Sequence, residues 1–356
     1  MSLPLVPCSF MIYYINNELL YFTKEAVFMA ILVTGGAGYI GSHTVLELAN
    51  KKEEVIIIDN LEKGHKEAVK GGQLYIGDIR DGDFLHRVFS KYDIQGVIHF
   101  AADSLVGESM ENPYKYYNNN VYGSMCLLGK MKEFNVDKIV FSSTAATYGE
   151  AKNIPIMEED ETKPTNTYGE TKLAVEKMMQ WFSQAYDIKY TALRYFNAAG
   201  AHISGHIGED HNPETHLIPI IMEVALGKRD KIYVYGEDYP TKDGTCIRDY
   251  IHVTDLAQAH ILALEKMAKG EGGVYNLGSG NGFSVKEVIE AARRVTGHPI
   301  PAEIAERRAG DPAVLIASSQ KAKQELDWKP EYDDLEKIIK TAWNWHKSHP
   351  EGFVSL

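Results

Sequence analysis

Cysteine is scarce, with three in 356 residues: Cys8, Cys126 and Cys246. They show no C-x-x-C spacing and no even framework, which excludes a disulfide scaffold and a cysteine-built zinc site. Reduced, buried thiols in a cytoplasmic protein are what this usage predicts. Positive charge is also short, 37 Lys and Arg against 49 Asp and Glu, for a net charge of −12. Such a chain lacks the basic face that nucleic acid or an anionic membrane requires, while a local cation pair around a small phosphate ligand stays compatible with it. Long apolar runs are missing, and no stretch reaches the ~18 residues of a membrane span. No internal repeat and no low-complexity segment occurs. What is present is an ordinary globular mixture, 44% hydrophobic and 24% charged, which disfavours disorder, collagen and coiled coil. At roughly 100–200 residues per domain, the length predicts two domains, or one large domain with a second lobe.

Residues 1–28 do not resemble the rest. They are apolar and aromatic, interrupted by Asn16, Asn17 and Glu18, and the first cation is Lys24, too late for a secretory signal. Met29 then opens MAILVTGG, the usual start of a nucleotide-binding domain. The expectation is a native start at Met29, with residues 1–28 a non-native or disordered extension; a genuine extension packed on the surface is the alternative.

From Met29 onward, short apolar runs alternate with helical patterns. Strands are predicted at Ala30–Thr34, Glu54–Asp59, Gln73–Gly77, Gly96–Ala101, Asp137–Ser142 and Lys189–Arg194, with helices at Tyr39–Asn50 and Thr167–Tyr186. Continuous Val/Ile/Phe runs between helices predict a parallel sheet covered on both faces, and right-handed crossovers make it an α/β, doubly wound, Rossmann-type sheet. After Asn197 the pattern changes. Glycine, proline and histidine crowd Ala198–Leu217, and later segments such as Tyr233–Tyr239 are short. The predicted division is a dinucleotide-binding domain over 29–197, rejoined by about 240–275, and a smaller C-terminal substrate-binding lobe mainly over 198–356.

Thr34-Gly35-Gly36-Ala37-Gly38-Tyr39-Ile40-Gly41 lies between a predicted strand and a predicted helix. Gly35 and Gly38 let backbone turn and approach a pyrophosphate, Gly41 lets the helix pack on the sheet, and the helix N-terminus supplies free N–H groups. Asp59 ends the next strand at about the ~20-residue distance where a carboxylate meets the adenosine ribose. It accepts from a 2′-hydroxyl and repels a 2′-phosphate, which favours NAD over NADP. Asp78 also ends a strand, and on its own it fits an adenine contact and a plain surface turn equally well.

Tyr168 and Lys172 stand four apart on the predicted helix and so share a face. A phenol ionises near pH ~10; a lysine cation and an oxidised nicotinamide both favour the phenolate, which makes Tyr168 a usable base. Alone, a Tyr-x-x-x-Lys pair is commonplace. Here the hydroxyl cluster Ser142-Ser143-Thr144 follows a strand of the same domain, and Thr144 is the expected hydroxyl for the substrate oxygen.

Together these motifs resemble the UDP-glucose 4-epimerases of the extended short-chain dehydrogenase/reductase family. The resemblance runs from Met29 almost to the C-terminus. It is carried by Leu32–His43, Val97–Ala102, Phe141–Thr144, Tyr168–Lys172, Leu193–Asn197 and Asp243–Val253, the last two being the more specific. It implies interconversion of UDP-glucose and UDP-galactose by inversion at C4 through a 4-keto sugar, on tightly held NAD. Tyr168 would take the 4-hydroxyl proton, Lys172 would tune it and hold the nicotinamide ribose, and Thr144 would bind the same hydroxyl. The implied cofactor envelope is Gly35, Gly38, Tyr39, Ile40, Gly41, Asp59, Asn60, Asp78, Ile79, Phe100, Ala101, Ala102, Asn120 and Phe196, with Tyr168 and Lys172. The implied UDP-hexose contacts are Asn197, His216, Leu217, Tyr233, Val234, Tyr235, Arg248, Arg308 and Asp311; the two guanidinium forks suit a diphosphate. A homodimer packed through helices near Pro113–Phe134 and Thr167–Tyr186 is also implied. No metal, nucleic acid or membrane is expected.

Three positions depart from the family pattern. Ser104 stands where many members place a cofactor-touching lysine, and His216 where some use asparagine. Leu315 falls near the position that gates N-acetyl sugars, and it is intermediate in size. A 4,6-dehydratase would carry acidic residues after the threonine, where this chain has Ala145 and Ala146. Related epimerases for UDP-N-acetylhexosamines, pentoses or uronates remain the alternative within the family; a non-catalytic NAD-binding regulator is opposed by the intact Thr144, Tyr168 and Lys172.

Overall fold

The computed structural model describes residues 11–15, 18–22, 29–267, 272–308 and 311–354. Within the N-terminal extension, Met11–Ile15 and Glu18–Phe22 pair as an antiparallel hairpin; the rest of it, Cys8 included, lies outside the described residues. Cys126 is half-buried and Cys246 buried, both as free thiols.

Seven parallel strands form the central sheet, numbered here β1 Met29–Thr34, β2 Val55–Asp59, β3 Gln73–Ile76, β4 Asp93–His99, β5 Lys138–Ser142, β6 Lys189–Tyr195 and β7 Gly273–Leu277. Their spatial order is β3-β2-β1-β4-β5-β6-β7, so the winding reverses between β1 and β4. That reversal opens a crevice at the carboxyl ends of the strands. Burial on both faces explains the sequence pattern: all five residues of β2 are buried, and Val33, Ile57, Ile98, Val140 and Leu193 share one core cluster, while Leu32, Ile56, Val97 and Ile139 share the cluster on the other side. β4 starts three residues earlier than its apolar run, at Asp93, and ends at His99. β7 pairs with Thr191–Tyr195 of β6, and the helix Val253–Met267 lies among the layers of the same sheet.

Helix ends follow local chemistry. Asn166 caps the helix Thr167–Tyr186 by accepting from the Gly169 N–H, and Asp187 ends it in the left-handed region at φ 57°. Between Pro113 and Glu133 the helical path widens into a π segment over Tyr117–Tyr122.

Outside the central sheet, short strands and further helices pack together. Ile232–Tyr235 pairs with Ala302–Ala305. Ile247–Arg248 lies between Phe283–Ser284 and Val314–Leu315. Leu217–Ala225, Val285–Thr296 and Leu335–Ser348 enclose a third core around Ile221, Met222, Val288 and Ile339. Among the described residues, no helix is long and apolar enough to cross a membrane.

Candidate active site

A cavity of about 1090 Å³ runs along the crevice above β1 and β4. It exceeds the ~1,000 Å³ upper end for a single drug-sized ligand, and a second cavity of about 540 Å³ shares Asn197, His216, Arg248, Arg308 and Asp311 with it. The two cavities therefore share a wall.

At one end lies the glycine turn. Gly35 has φ +72°, and a Cβ there would come within 2.6 Å of the Ala101 nitrogen. A Cβ at Gly41 would come within 2.1 Å of the Gly35 carbonyl oxygen. Gly38 differs from expectation. Its φ of −76° is open to any residue, so its small size, not its freedom to turn, is what serves a close approach. The helix Tyr39–Asn50 starts there with no side-chain cap and no acid in its first turn. Its first N–H groups therefore line the cavity without a protein anion, as a pyrophosphate requires. Asp59 Oδ2 accepts from the Ala37 N–H at 2.9 Å and Oδ1 from the Leu61 N–H at 2.8 Å, which fixes the carboxylate in the cavity wall; burial pushes its pKa up. Asp78 is held by Arg80, through Nε at 2.8 Å, and this bonding lowers its pKa. Tyr39, Ile40, Asn60, Ile79, Phe100, Ala101, Ala102 and Phe196 also line the cavity. These features fit a dinucleotide.

Asn120 is the exception. It is buried off the cavity wall, where its side chain accepts from the Asp103 N–H at 2.8 Å and donates to the Asp103 carbonyl and to Thr171. It shapes the loop that lines the site.

Thr144, Tyr168 and Lys172 all line this cavity. Thr144 lies close enough to the Tyr168 phenol to offset part of its burial. Thr144 also accepts from the Ala146 N–H at 3.1 Å, which sets its rotamer. Burial pushes the Tyr168 pKa up to about 12, with Thr144 opposing. Burial likewise pulls Lys172 down to about 7, with Glu176 opposing. A water-poor cavity penalises the charged forms of both groups.

Beneath this trio is a buried charged layer that motif reading does not find. Arg194 donates through Nε to Glu176 Oε1 at 3.0 Å, and Ser143 Oγ donates to the same oxygen. Arg194 also stacks 4.8 Å over the Tyr148 ring. Tyr195 OH and Ser142 Oγ are hydrogen-bonded on the cavity side. Arg194 and Tyr195 lie inside the quoted Leu193–Asn197 motif, but only the tertiary fold brings Glu176 to them.

At the far end, Arg248 pairs with Asp311, and Arg308 stacks 4.1 Å over the Tyr235 ring. Asn197 Nδ2 donates to the Asp249 carbonyl at 2.9 Å. Tyr233 and Tyr235 are exposed on the second cavity, whereas Val234 alternates inward into the core and does not line it. Leu217 starts the helix Leu217–Ala225 at the same cavity. His216 Nδ1 stands 3.0 Å from both Glu209 and Glu214 carboxylates. That ring edge is taken, which leaves only Nε2 for a phosphate. Burial lowers the His211 and His216 pKa values, but those two carboxylates outweigh it and raise them to about 9 and about 10. Glu209, His211, Glu214 and His216 form a group that sequence reading passed over; its signal was the spacing Glu-x-His-x-x-Glu-x-His.

A doubly wound sheet with an uncapped glycine turn, and Thr144, Tyr168 and Lys172 on the wall of the same cavity, is the arrangement of an NAD-dependent enzyme of the short-chain dehydrogenase/reductase type. Residues 31–278 match the model of the NAD dependent epimerase/dehydratase family, and the chain belongs to that family. It is 63% identical over 326 residues to a protein named UDP-glucose 4-epimerase from Halalkalibacterium halodurans, across 91% of this chain and 98% of the relative. A crystal structure described as UDP-glucose 4-epimerase superposes with a TM-score of 0.90 at 59% identity, covering 92% of this chain and 100% of that one. A UDP-glucose 4-epimerase from Bifidobacterium longum, solved in complex with NAD+ and UDP, gives a TM-score of 0.87 at 44% identity over 91% of this chain and 100% of that one.

Proposed function

We propose that the protein is an isomerase that interconverts UDP-glucose and UDP-galactose with NAD as its resident cofactor. The observation that carries this is the one cavity whose wall is shared by the glycine turn, Thr144, Tyr168, Lys172, Arg248 and Arg308. Bound NAD supplies the acceptor and donor for the C4 hydrogen. Tyr168 takes the proton from the 4-hydroxyl and returns it, and because the C4 hydride would also be returned to the sugar no net redox change follows. Thr144 orients that hydroxyl by hydrogen bonding. Lys172, held by the Ser142 carbonyl, sits where it can meet the cofactor ribose. Arg248 and Arg308 hold the diphosphate with Tyr233 and Tyr235 beside the uridine, while the hexose stays loosely held and can present either face. The 29–197 domain, rejoined by about 240–275, carries the cofactor on this reading, and residues 198–356 mainly carry the nucleotide sugar.

A homodimer in the cytoplasm belongs to the same proposal. Its support is an apolar face on the expected helices: Tyr114 and Trp181 are 79% and 67% exposed, with Tyr117, Met125 and Tyr186 also exposed nearby in sequence. Stable exposure of such large rings is unusual for a monomer. Light scattering is the test.

For the reaction, purified protein should convert UDP-galactose to UDP-glucose without added reductant. A panel adding UDP-N-acetylglucosamine, UDP-xylose and UDP-glucuronate separates this from the related epimerases. No turnover of UDP-galactose alongside turnover of another member would replace the substrate assignment.

A further inference from the structure

Four side chains on one segment converge beside the cleft, and the proposed reaction uses only one of them. Glu209, His211, Glu214 and His216 each bring a donor atom to a common point, and all four atoms lie within 4.8 Å of one another. His211 Nδ1 is 3.3 Å from Glu209 Oε1 and 3.6 Å from a Glu214 oxygen. His216 Nδ1 is 3.0 Å from Glu209 Oε1 and 3.0 Å from the other Glu214 oxygen. A tetrahedral ion with bonds of about 2.0–2.2 Å holds its ligand atoms about 3.3–3.5 Å apart. The four histidine–carboxylate separations straddle that edge length. His211 Nδ1 supplies a second indication: it is fully buried, yet it forms no aligned hydrogen bond with either carboxylate.

The surroundings hold these donors in place. The Glu209 side chain is only 4% exposed, and its backbone carbonyl accepts from Trp345 Nε1 at 3.3 Å. Glu214 Oε1 accepts from the Thr215 and His216 N–H groups, both at 2.7 Å. Outer contacts of this kind orient metal ligands before the ion binds.

We propose that Glu209, His211, Glu214 and His216 bind one divalent transition-metal ion of the zinc class. Two imidazoles and two carboxylates are a zinc-type donor set, whereas magnesium and calcium take oxygen ligands. Two carboxylates neutralise a doubly charged ion, so the filled site carries no net charge in a buried wall. Four protein ligands also leave no open coordination position, which makes the ion structural and not a Lewis acid for the sugar. Its place in the fold gives it a task. The His211 ring meets the Tyr39 ring edge-on at 6.1 Å, and Tyr39 belongs to the glycine turn. His216 is the N-cap residue of Leu217–Ala225, and Glu209 and His216 line both cavities. The ion clips the segment across the wall that the two cavities share.

The test uses the full chain with its cofactor bound. The protein is dialysed against a chelator, exposed to zinc chloride, desalted and analysed for metal. About one zinc per chain should remain, with a higher Tm than the chelated form. The double variant Glu209→Gln, His211→Gln should retain about tenfold less or lower still, while the exposed His298→Gln should match the unchanged protein. Crystals of the unchanged protein grown after zinc loading should show an anomalous peak among the four residues. That peak and the Tm rise decide the question even if the double variant folds poorly. No retained zinc, equal retention by a folded double variant, or a peak elsewhere would each overturn the proposal. None of these readouts uses a sugar substrate, so their failure would leave the epimerase reading standing.

Discussion

Lys172 Nζ donates to the Ser142 carbonyl oxygen at 2.8 Å and stands 5.9 Å from the centre of the Tyr168 ring. The lysine is thus anchored to β5, and Thr144 lies beside the tyrosine in the same cavity wall. Burial disfavours the charged form of each group.

A stability prediction follows from the lysine. Its folded pKa is depressed from 10.5 to about 7 by burial. Between those values the unfolded chain binds a proton that the folded one does not, so stability rises with pH across this window. Cofactor-stripped protein should gain up to ~1.4 kcal/mol per pH unit between about pH 7 and 10 relative to Lys172→Met. Urea titrations of both at three pH values check this; parallel profiles would show that the amine is not dehydrated.

Activity should depend on the phenol and the hydroxyl unequally. Tyr168→Phe should lose ~10²–10⁴-fold in kcat, the range for a positioned acid–base group, and keep its NAD. Thr144→Val should lose less, because it removes an orienting hydrogen bond and leaves the base. Rate assays paired with cofactor quantification distinguish lost chemistry from lost binding.

Glu176 and Arg194 form a different kind of site. Their side chains are both 6% exposed, so Glu176→Gln strands a buried guanidinium. The expected loss is ~3–5 kcal/mol of stability, seen in denaturant unfolding. A double change to well-packed apolar residues should lose much less, since the uncompensated charge is what hurts.

Gly41→Ala adds a methyl 2.1 Å from the Gly35 carbonyl oxygen. Backbone cannot step aside as a side chain does, so the turn must open and NAD retention should fall by an order of magnitude or more. Gly129, with nothing within 4 Å of a built Cβ and away from both cavities, is the control that should tolerate alanine.

Leu315 lines the cleft and packs against the Ala145–Tyr148–Ile156 cluster. Leu315→Ala should widen the sugar end and raise the relative kcat/KM for UDP-N-acetylglucosamine, and Leu315→Tyr should lower it. Competition assays with the two UDP-sugars measure the ratio.

How much of this was written in the sequence depends on the range of the interactions. The strands β1, β2 and β5 were legible because burial on both faces demands unbroken Val and Ile runs. β7 was not identified as a strand, because Gly273-Val-Tyr-Asn-Leu277 is weakly apolar and owes its pairing to β6. The glycine turn and the Tyr168–Lys172 spacing are local and were readable. The Glu176–Arg194 pair joins residues 18 apart through the sheet, and no periodicity marks it. Asn120 was assigned to the cofactor, yet its amide is consumed by Asp103 backbone, a contact invisible without the fold. The inward turn of Val234 was accessible in principle, since strand alternation separates it from Tyr233 and Tyr235.

Arg248 and Leu315 are register partners on adjacent strands. The guanidinium expected at the diphosphate and the side chain expected to bound the hexose therefore share one hydrogen-bonded rung. A selection experiment that retunes the sugar pocket through backbone movement at residue 315 will drag the anchor with it. Changes of sugar preference made that way should arrive with altered product inhibition by UDP, whereas changes confined to side-chain volume should not.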